Sequence, residues 1–422
     1  MAGKTTERVV VTGMGIASPL GCSLAEFWQN LLAGQSGIRS LEGTIFSGME
    51  TGIGGMVRGY EESHYFDSKE ERRMSRSSQL GLIAARQAIA EAMLENEGID
   101  QMEIGVLVGS SIGGYSASDP FFKSYYTQGR LSPFTIPISM NSGPAANISI
   151  KYRFQGPLLS VDAACATAAH SIGYAFNMIR NGSLQVAVTG AADCPFSPGV
   201  VAAWATMRAL SSREDCPAEA CRPFSADRDG LVLGEGAGIL ILEAESHALR
   251  RGVPILAEIK GYGASADSYH LTQPTQNGQS KAMRRALADA GMGAEEIDYI
   301  NAHATGTEAN DKNETNAIKE VFGELAYEIP VVGNKAALGH SIGGSGALEL
   351  ISCILSLRDQ VVPPTINYKV PDPECDLDYV TEGSRPMPLQ NIMSNSFAFG
   401  GSNAVLIVGK YENGTSKNNS QT

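Results

Sequence analysis

Short runs of aliphatic, largely β-branched residues ending on glycine alternate in this chain with small-residue, helix-forming stretches. That alternation restricts the fold more than any other feature. Arg8-Val9-Val10-Val11-Thr12-Gly13 reads as a buried strand, as do Gly105-Val106-Leu107-Val108-Gly109 and Leu184-Gln185-Val186-Ala187-Val188-Thr189-Gly190. Val232 to Leu242, Ile297 to Ala302 and Val405 to Gly409 continue the series. Between them the pattern predicts helices over Gln79 to Glu95, Ala168 to Arg180, Lys281 to Ala290 and Gly346 to Leu357. Strands and helices in alternation imply an α/β layered fold. At 422 residues the chain exceeds what one hydrophobic core usually serves, so two packed halves are expected. His-Ser-Ile-Gly occurs at 170–173 and again at 340–343, each time near a strand and a small-residue helix. This suggests related halves, 1–255 and 256–411, followed by an Asn/Ser/Gly-rich tail, 412–422, that is expected to be disordered.

The net charge of −13 disfavours nucleic acid and anionic membranes as partners. No apolar run approaches the roughly 20 residues that span a bilayer. The polar start, Met1 to Arg8, does not read as a signal peptide, so a cytoplasmic location is expected. Seven cysteines without C-x-x-C pairing argue against a disulfide framework or zinc ribbon, and no metal is expected.

The most informative stretch is Leu159-Ser160-Val161-Asp162-Ala163-Ala164-Cys165-Ala166-Thr167-Ala168-Ala169-His170. A strand ends, small residues turn, and a helix starts at or near Cys165. Unpaired amides and the macrodipole at a helix start favour thiolate over thiol, and the Cys165 amide can face an oxyanion. Most cysteines are simply buried hydrophobes, and local context alone does not overturn that for this one.

Two of only six histidines sit in loops at strand ends, where α/β proteins place ligand-binding residues. They are His303, in Asn301-Ala302-His303-Ala304-Thr305-Gly306-Thr307, and His340, in Lys335-Ala336-Ala337-Leu338-Gly339-His340-Ser341. Paired imidazole N–H groups suit enolate chemistry. Lys335 and Glu349 are candidates to set the electrostatics around His340, with a surface ion pair as the plainer alternative. Ser394 to Asn403 contains Phe397, Ala398, Phe399, Gly400 and Gly401. That loop reads equally as a gate over a pocket or as a β-turn with core phenylalanines. Gly13-Met14-Gly15-Ile16-Ala17-Ser18 imitates a dinucleotide fingerprint, but Pro19 follows and the acidic partner is missing.

Taken together, Ala164-Cys165-Ala166-Thr167, Asn301-Ala302-His303-x-Thr305-x-Thr307, Lys335-x4-His340 and Asn395-Ser396-Phe397-x-Phe399-Gly400-Gly401 resemble the elongating β-ketoacyl-acyl carrier protein synthases of the thiolase superfamily. The resemblance spans roughly residues 8–410. It implies a thiolase-like fold of two similar halves in an α-β-α-β-α arrangement. It also implies a homodimer, or a heterodimer with a chain-length-factor subunit, and substrates carried on acyl carrier protein with no other cofactor. By the same resemblance, Cys165 carries the acyl chain while His303 and His340 assist decarboxylation. Lys335 pairs with Glu349 beside His340. Phe399 gates the pocket and its amide completes an oxyanion site. Thr305 and Thr307 bond the pantetheine arm, and Ile112, Trp204 and Ile342 line the acyl pocket. Lys69, Arg72, Arg73 and Arg76 crowd one segment, and with Arg208 they form the expected docking patch for an acidic carrier. The alternatives are a polyketide ketosynthase subunit, a non-catalytic chain-length factor and a thiolase.

Housekeeping members of that family carry Gly and Ser where this chain has Ala304 and Gly306, and Gly at Ala398. These departures resemble the nodulation and polyene-forming ketosynthases. Alanine at 398 narrows backbone freedom, so altered gate motion and chain selection are expected.

Overall fold

A computed structural model describes residues 7–60, 64–95 and 100–412. Of the tail, 413–422 lie outside the described residues. Ten strands form one sheet: β1 Val9–Ala17, β2 Ile104–Gly109, β3 Leu158–Leu159, β4 Val186–Asp193 and β5 Gly236–Ala244, then β6 Ala257–Ala266, β7 Tyr299–Asn301, β8 Val331–Val332, β9 Asn391–Phe397 and β10 Ser402–Gly409. Their order is β3-β2-β4-β5-β1-β6-β10-β9-β7-β8. The first five strands therefore run 3-2-4-5-1 from the outer edge inward, and the second five repeat the same order. The directions repeat as well. β2 lies parallel to β3 and β4, and β7 parallel to β8 and β9, whereas the β4–β5–β1 and β9–β10–β6 pairings are antiparallel. β1 and β6 join the two sets through Val9–Val11 and Ala257–Ile259.

The internal repeat is thus a repeat of topology, and the His-Ser-Ile-Gly echo is not part of it. Residues 170–173 lie inside the helix Thr167–Arg180, while 340–343 precede the helix that starts at Ser345.

Helices lie in three layers. α1 (Arg76–Glu91) and, further along, α3 (Gly143–Tyr152) cover the outer face of the first strand set; α2 (Gly113–Gln128) lies between them in sequence. α6 (Gln276–Ala290) and α7 (Glu308–Phe322) cover the outer face of the second set, and α5 (Pro198–Thr206) flanks the site described below. α4 (Thr167–Arg180) and α8 (Ser345–Asp359) lie between the two sets and touch strands of both. A helix flanked by sheets must be buried all round, and every residue from Ser345 to Leu357 is buried. This is why α8 is built from Ser, Gly, Ala and Leu. Strands covered on both faces read as continuous apolar runs rather than alternating ones, as in β1, β4 and β5.

The nucleotide-like glycines lie inside β1, not in a loop. A Cβ at Gly13 would sit 2.2 Å from the Ala88 carbonyl oxygen, and one at Gly15 only 1.9 Å from that of Ala84. They let α1 press its backbone on the strand. The expected strand from Val232 also divides. β5 begins at Gly236, while Val232–Gly234 pair with the loop at His340 (His340 N–H to Val232 C=O 2.7 Å, Gly234 N–H to His340 C=O 2.8 Å).

Candidate active site

The loops that follow β3, β7 and β8 converge where the halves meet. Cys165 lies in a single 3-10 turn, Ala164–Ala166, directly before α4. His303 follows β7, and His340 lies between β8 and α8. The Cys165 sulfur and one ring nitrogen from each histidine lie within 4.8 Å of one another. Each reactive residue has a non-glycine neighbour in the left-handed region: Ala164 (φ +46°), Ala304 (φ +44°) and Ile342 (φ +48°). Such conformations cost energy and persist only where the surroundings over-determine them.

His340 Nε2 is 3.1 Å from Cys165 Sγ. The Ile342 N–H donates to His340 Nδ1 at 3.2 Å, and Ser345 Oγ lies 2.9 Å from the same nitrogen. A nitrogen that accepts an N–H carries no proton, so the ring proton sits on Nε2 and faces the sulfur. The same logic holds for His303, whose Nδ1 faces the Lys335 ammonium at 3.3 Å. Lys335 also donates to the His303 carbonyl and to Glu349 Oε1, each at 2.5 Å. Both Lys335 and Glu349 are about 1% exposed, so this is a buried pair and not a surface one. The expected Lys335–Glu349 pair is present and its ammonium acts on His340 through space, but its hydrogen bonds go to His303.

Burial holds both imidazoles well below their ordinary pKa, with Lys335 adding to the effect. Both rings are neutral N–H donors at physiological pH. Burial also pushes the Glu349 carboxyl up to about 7, against the pull of Lys335. Cys165 corrects a second expectation. Burial pushes its thiol up to about 11, outweighing Lys335 and the Phe399 and Cys165 amides that point at the sulfur. The helix start supplies amides, but in the free protein the side chain rests as a thiol.

These groups lie in a cleft of about 590 Å³ lined also by Thr305, Thr307, Phe397, Ala398, Phe399 and Gly401. Thr305 Oγ1 and Thr307 Oγ1 are 2.8 Å apart. The gate-like loop is a closed turn, with the Ala398 N–H on the Ser402 carbonyl and the Gly401 N–H on that of Ala398. Phe397 is buried as the last residue of β9, whereas Phe399 is only half-buried and stacks on Trp204 (5.7 Å, 26°). Both rings border the cleft, but Phe397 is anchored in the core and Phe399 is not. Ala398 is extended (φ −127°, ψ 155°), a conformation alanine adopts without strain. Beyond Trp204 and Phe399 lies a second, apolar groove of about 690 Å³ that includes Ile112. Ile342 packs with Cys165 and Trp204 in one apolar cluster.

Lys69, Arg72, Arg73 and Arg208 are exposed. Lys69 lies in a short helix, Ser68–Glu71, Arg73 sits over the Phe134 ring (4.6 Å), and Arg208 occupies a separate turn after α5. Arg76 is committed elsewhere, to the buried carboxylate of Glu235 at 2.7 Å.

Sequence reasoning passed over three contributors. The fully buried Glu314, on α7, accepts the His303 and Ala304 N–H groups at 2.7 and 2.8 Å. Asp193 is equally buried at the end of β4. The exposed loop 268–273 overhangs the cleft, and its Leu271 carbonyl accepts the Gly400 N–H at 2.7 Å. An acidic residue ending an otherwise apolar strand hinted at Asp193, whereas Glu314 lies in a polar helix that gave no such hint.

Residues 6–248 match the family description "Beta-ketoacyl synthase, N-terminal domain", and residues 256–369 match "Beta-ketoacyl synthase, C-terminal domain". The chain belongs to the β-ketoacyl synthase family. This ketosynthase is 42% identical over 402 residues to Nodulation protein E of Rhizobium meliloti, covering 94% of this chain and 98% of the relative. It is 40% identical over 416 residues to 3-oxoacyl-[acyl-carrier-protein] synthase 2 of Synechocystis, covering 98% and 100%. Among solved structures, the ishigamide ketosynthase/chain length factor superposes with a TM-score of 0.90 at 34% identity, covering 96% of this ketosynthase and 100% of that chain. The expected thiolase-like fold is met, and the protein is an acyltransferase of the condensing type.

Proposed function

We propose that this ketosynthase extends an acyl chain held on Cys165 by decarboxylative condensation with malonyl carrier protein, with His303 and His340 as the enolate-stabilising pair. The observation that carries the assignment is that ring nitrogens of two neutral imidazoles lie within 4.8 Å of one sulfur, which also faces two backbone amides. In the first half-reaction, Cys165 sulfur attacks the acyl thioester of the carrier. A new C–S bond forms, the old one breaks, and the proton lost by Cys165 ends on the departing pantetheine thiol. In the second, the malonyl C–C bond breaks and carbon dioxide leaves. The negative charge passes to the thioester oxygen, which accepts from His303 and His340. That carbanion forms a C–C bond with the acyl carbonyl, whose oxyanion faces the Cys165 and Phe399 amides, and the Cys165 thiolate departs. Thr305 and Thr307 hold the pantetheine arm. Phe399 swings off Trp204 to open the groove lined by Ile112 and bounded by Ile342. Lys335, neutralised by Glu349, keeps the His303 tautomer.

Lys69, Arg72, Arg73 and Arg208 receive an acidic carrier, a reading supported by their exposure on a chain of net charge −13. A second subunit, identical or of the chain-length-factor kind, covers the apolar groove. Its support is that Tyr115 and Met207, which line the groove, are 65% and 46% exposed, and that the edge strand β3 presents Leu158 and Leu159 to solvent. We take residues 1–255 and 256–411 as the two units of a duplication, which the repeated strand order supports. A cytoplasmic setting accords with seven free cysteines. Within the family, Ala304 and Ala398 favour a specialised acyl chain over core fatty-acid elongation.

Incubation with acyl and malonyl carrier proteins followed by intact-mass analysis tests the assignment. An acyl adduct on Cys165 and a 3-oxoacyl carrier product are expected, and Cys165→Ser gives neither. Native-rate product from that variant removes the assignment.

A further inference from the structure

The carboxylate of Asp193 is 0% exposed. Among the described residues no cation pairs with it, and it instead gathers backbone N–H groups from two separate loops. Oδ2 accepts from Ser111 N–H (3.1 Å) and Gly343 N–H (3.0 Å). Oδ1 accepts from the Ser110 hydroxyl (3.0 Å), and the Ile112 N–H is shared between both oxygens (3.1 and 3.2 Å). Burying a carboxylate this deeply costs several kcal/mol unless its oxygens are satisfied, so a fold that keeps one here gains something specific from it. Ile112 lines the apolar groove, with Ser111 directly before it in the chain, and Gly343 lies three residues after His340.

Between Gly343 and His340 stands Ile342, a β-branched residue at φ +48°. A β-branched side chain in this region is strained, and something must hold it there. On one side, the Ile342 N–H donates to His340 Nδ1. On the other, the next peptide N–H, that of Gly343, is held by Asp193. Position 343 is also short of room: a Cβ there would sit 2.8 Å from Asp193 Oδ2. The backbone of His340 itself is pinned by Val232 and Gly234, and the Ser341 N–H donates to Ser345 Oγ at 3.0 Å, so the remaining freedom lies at 342–343.

We propose that Asp193 is a positioning residue for His340: its carboxylate holds the 342–343 turn so that the Ile342 N–H occupies Nδ1 and leaves the ring proton on Nε2, and with the same oxygens it holds Ser111–Ile112 at the acyl groove. The decarboxylation donor and the acyl-chain wall are thereby set by one side chain. The inference rests on the reading of His340 as an enolate donor, but its first readout does not.

The first measurement is the 15N spectrum of ring-labelled histidine in the intact protein. In the wild type, His340 shows a protonated Nε2 and a bare Nδ1. In Asp193→Asn, whose amide hydrogens face donors on at least one side, the His340 signals move toward a mixture of tautomers. Gly343→Ala, which presses a methyl group on the same carboxylate, produces the same change without altering Asp193. Malonyl-carrier decarboxylation falls about tenfold or more in kcat in both variants, with the KM for malonyl carrier little changed. Asp193→Glu recovers part of the loss. If His340 keeps its wild-type tautomer in both variants, the inference is overturned, whatever happens to activity. If the tautomer shifts as expected but His340→Ala decarboxylates at the native rate, the enolate-donor reading fails and the positioning of the ring by Asp193 stands.

Discussion

The chemistry of single residues here depends on who occupies the far side of each ring. His303 and His340 are neutral because burial disfavours the imidazolium. They are donors because Lys335 and the Ile342 amide take the opposite nitrogens. Strain at Ala164, Ala304 and Ile342 is concentrated within two residues of the reacting groups. It costs about 1–2 kcal/mol for each residue in the left-handed region, and at Ala304 and Ile342 it is held in place by the buried carboxylates of Glu314 and Asp193. For His303→Ala we expect carbon dioxide release from malonyl carrier to fall by about 10²–10³. Acyl loading of Cys165, followed by intact mass, changes far less, because the ring nearest the sulfur is His340. Equal loss of both half-reactions would contradict that division. The three reacting residues were legible in sequence because each lies in a short motif whose neighbours are also its structural surroundings. Glu314 was not, since eleven positions of chain separate it from the amide it holds.

At the scale of elements, the loop between β9 and β10 is a closed turn whose Phe399 lines the cleft. Ala398, Gly401 and Ser402 close a turn, and Gly401 takes φ +71° with Asp267 so near that a Cβ would fall 2.6 Å from it. Any other residue is strained there in both conformation and space. Gly401→Ala therefore distorts the turn that aims the Phe399 amide. The expected outcome is a drop in condensation of about tenfold or more, with a Tm lowered by only a few degrees; unchanged turnover would show that the loop tolerates another shape. Sequence left the gate and the core-phenylalanine readings level, and the structure bears out the core reading for Phe397. Phe397 ends a strand and is buried, while Phe399 rests on Trp204. The two could be separated only by knowing where β9 stops.

Across the whole molecule, His170 ties the halves together. It lies on α4, and its ring contacts Tyr262 Oη of β6 (2.5 Å) and Ser402 Oγ of β10 (2.8 Å). Burial lowers its pKa to about 4. Above the unfolded value of about 6.5 neither state is protonated and the full stability is present. As pH falls from there toward 4, the unfolded chain binds a proton that the folded protein refuses, and stability is lost. His170→Gln removes that proton uptake. Its loss of stability between pH 6.5 and 5, read from denaturant midpoints, should be smaller than the wild type's by about 1.5 kcal/mol. An identical pH slope in both proteins would remove His170 as a contributor.

The order of amino acids alone carried the α/β layering and the family, and it singled out Cys165 and the two histidine loops that the fold brings together. In each case the physical signal is local: strand-length apolar runs, a small-residue turn before a helix, a loop at a strand end. Only the tertiary structure decided that Lys335 hydrogen-bonds to His303 rather than His340, and that Arg76 faces Glu235 rather than solvent. It also decided that Gly13 and Gly15 serve contact with a helix about 70 residues away, and that the thiol of Cys165 is too deeply buried to rest as a thiolate. These are contacts between residues far apart in the chain. Their energies depend on burial and on the direction of individual N–H groups, and both come into being only when the two halves close on α4 and α8.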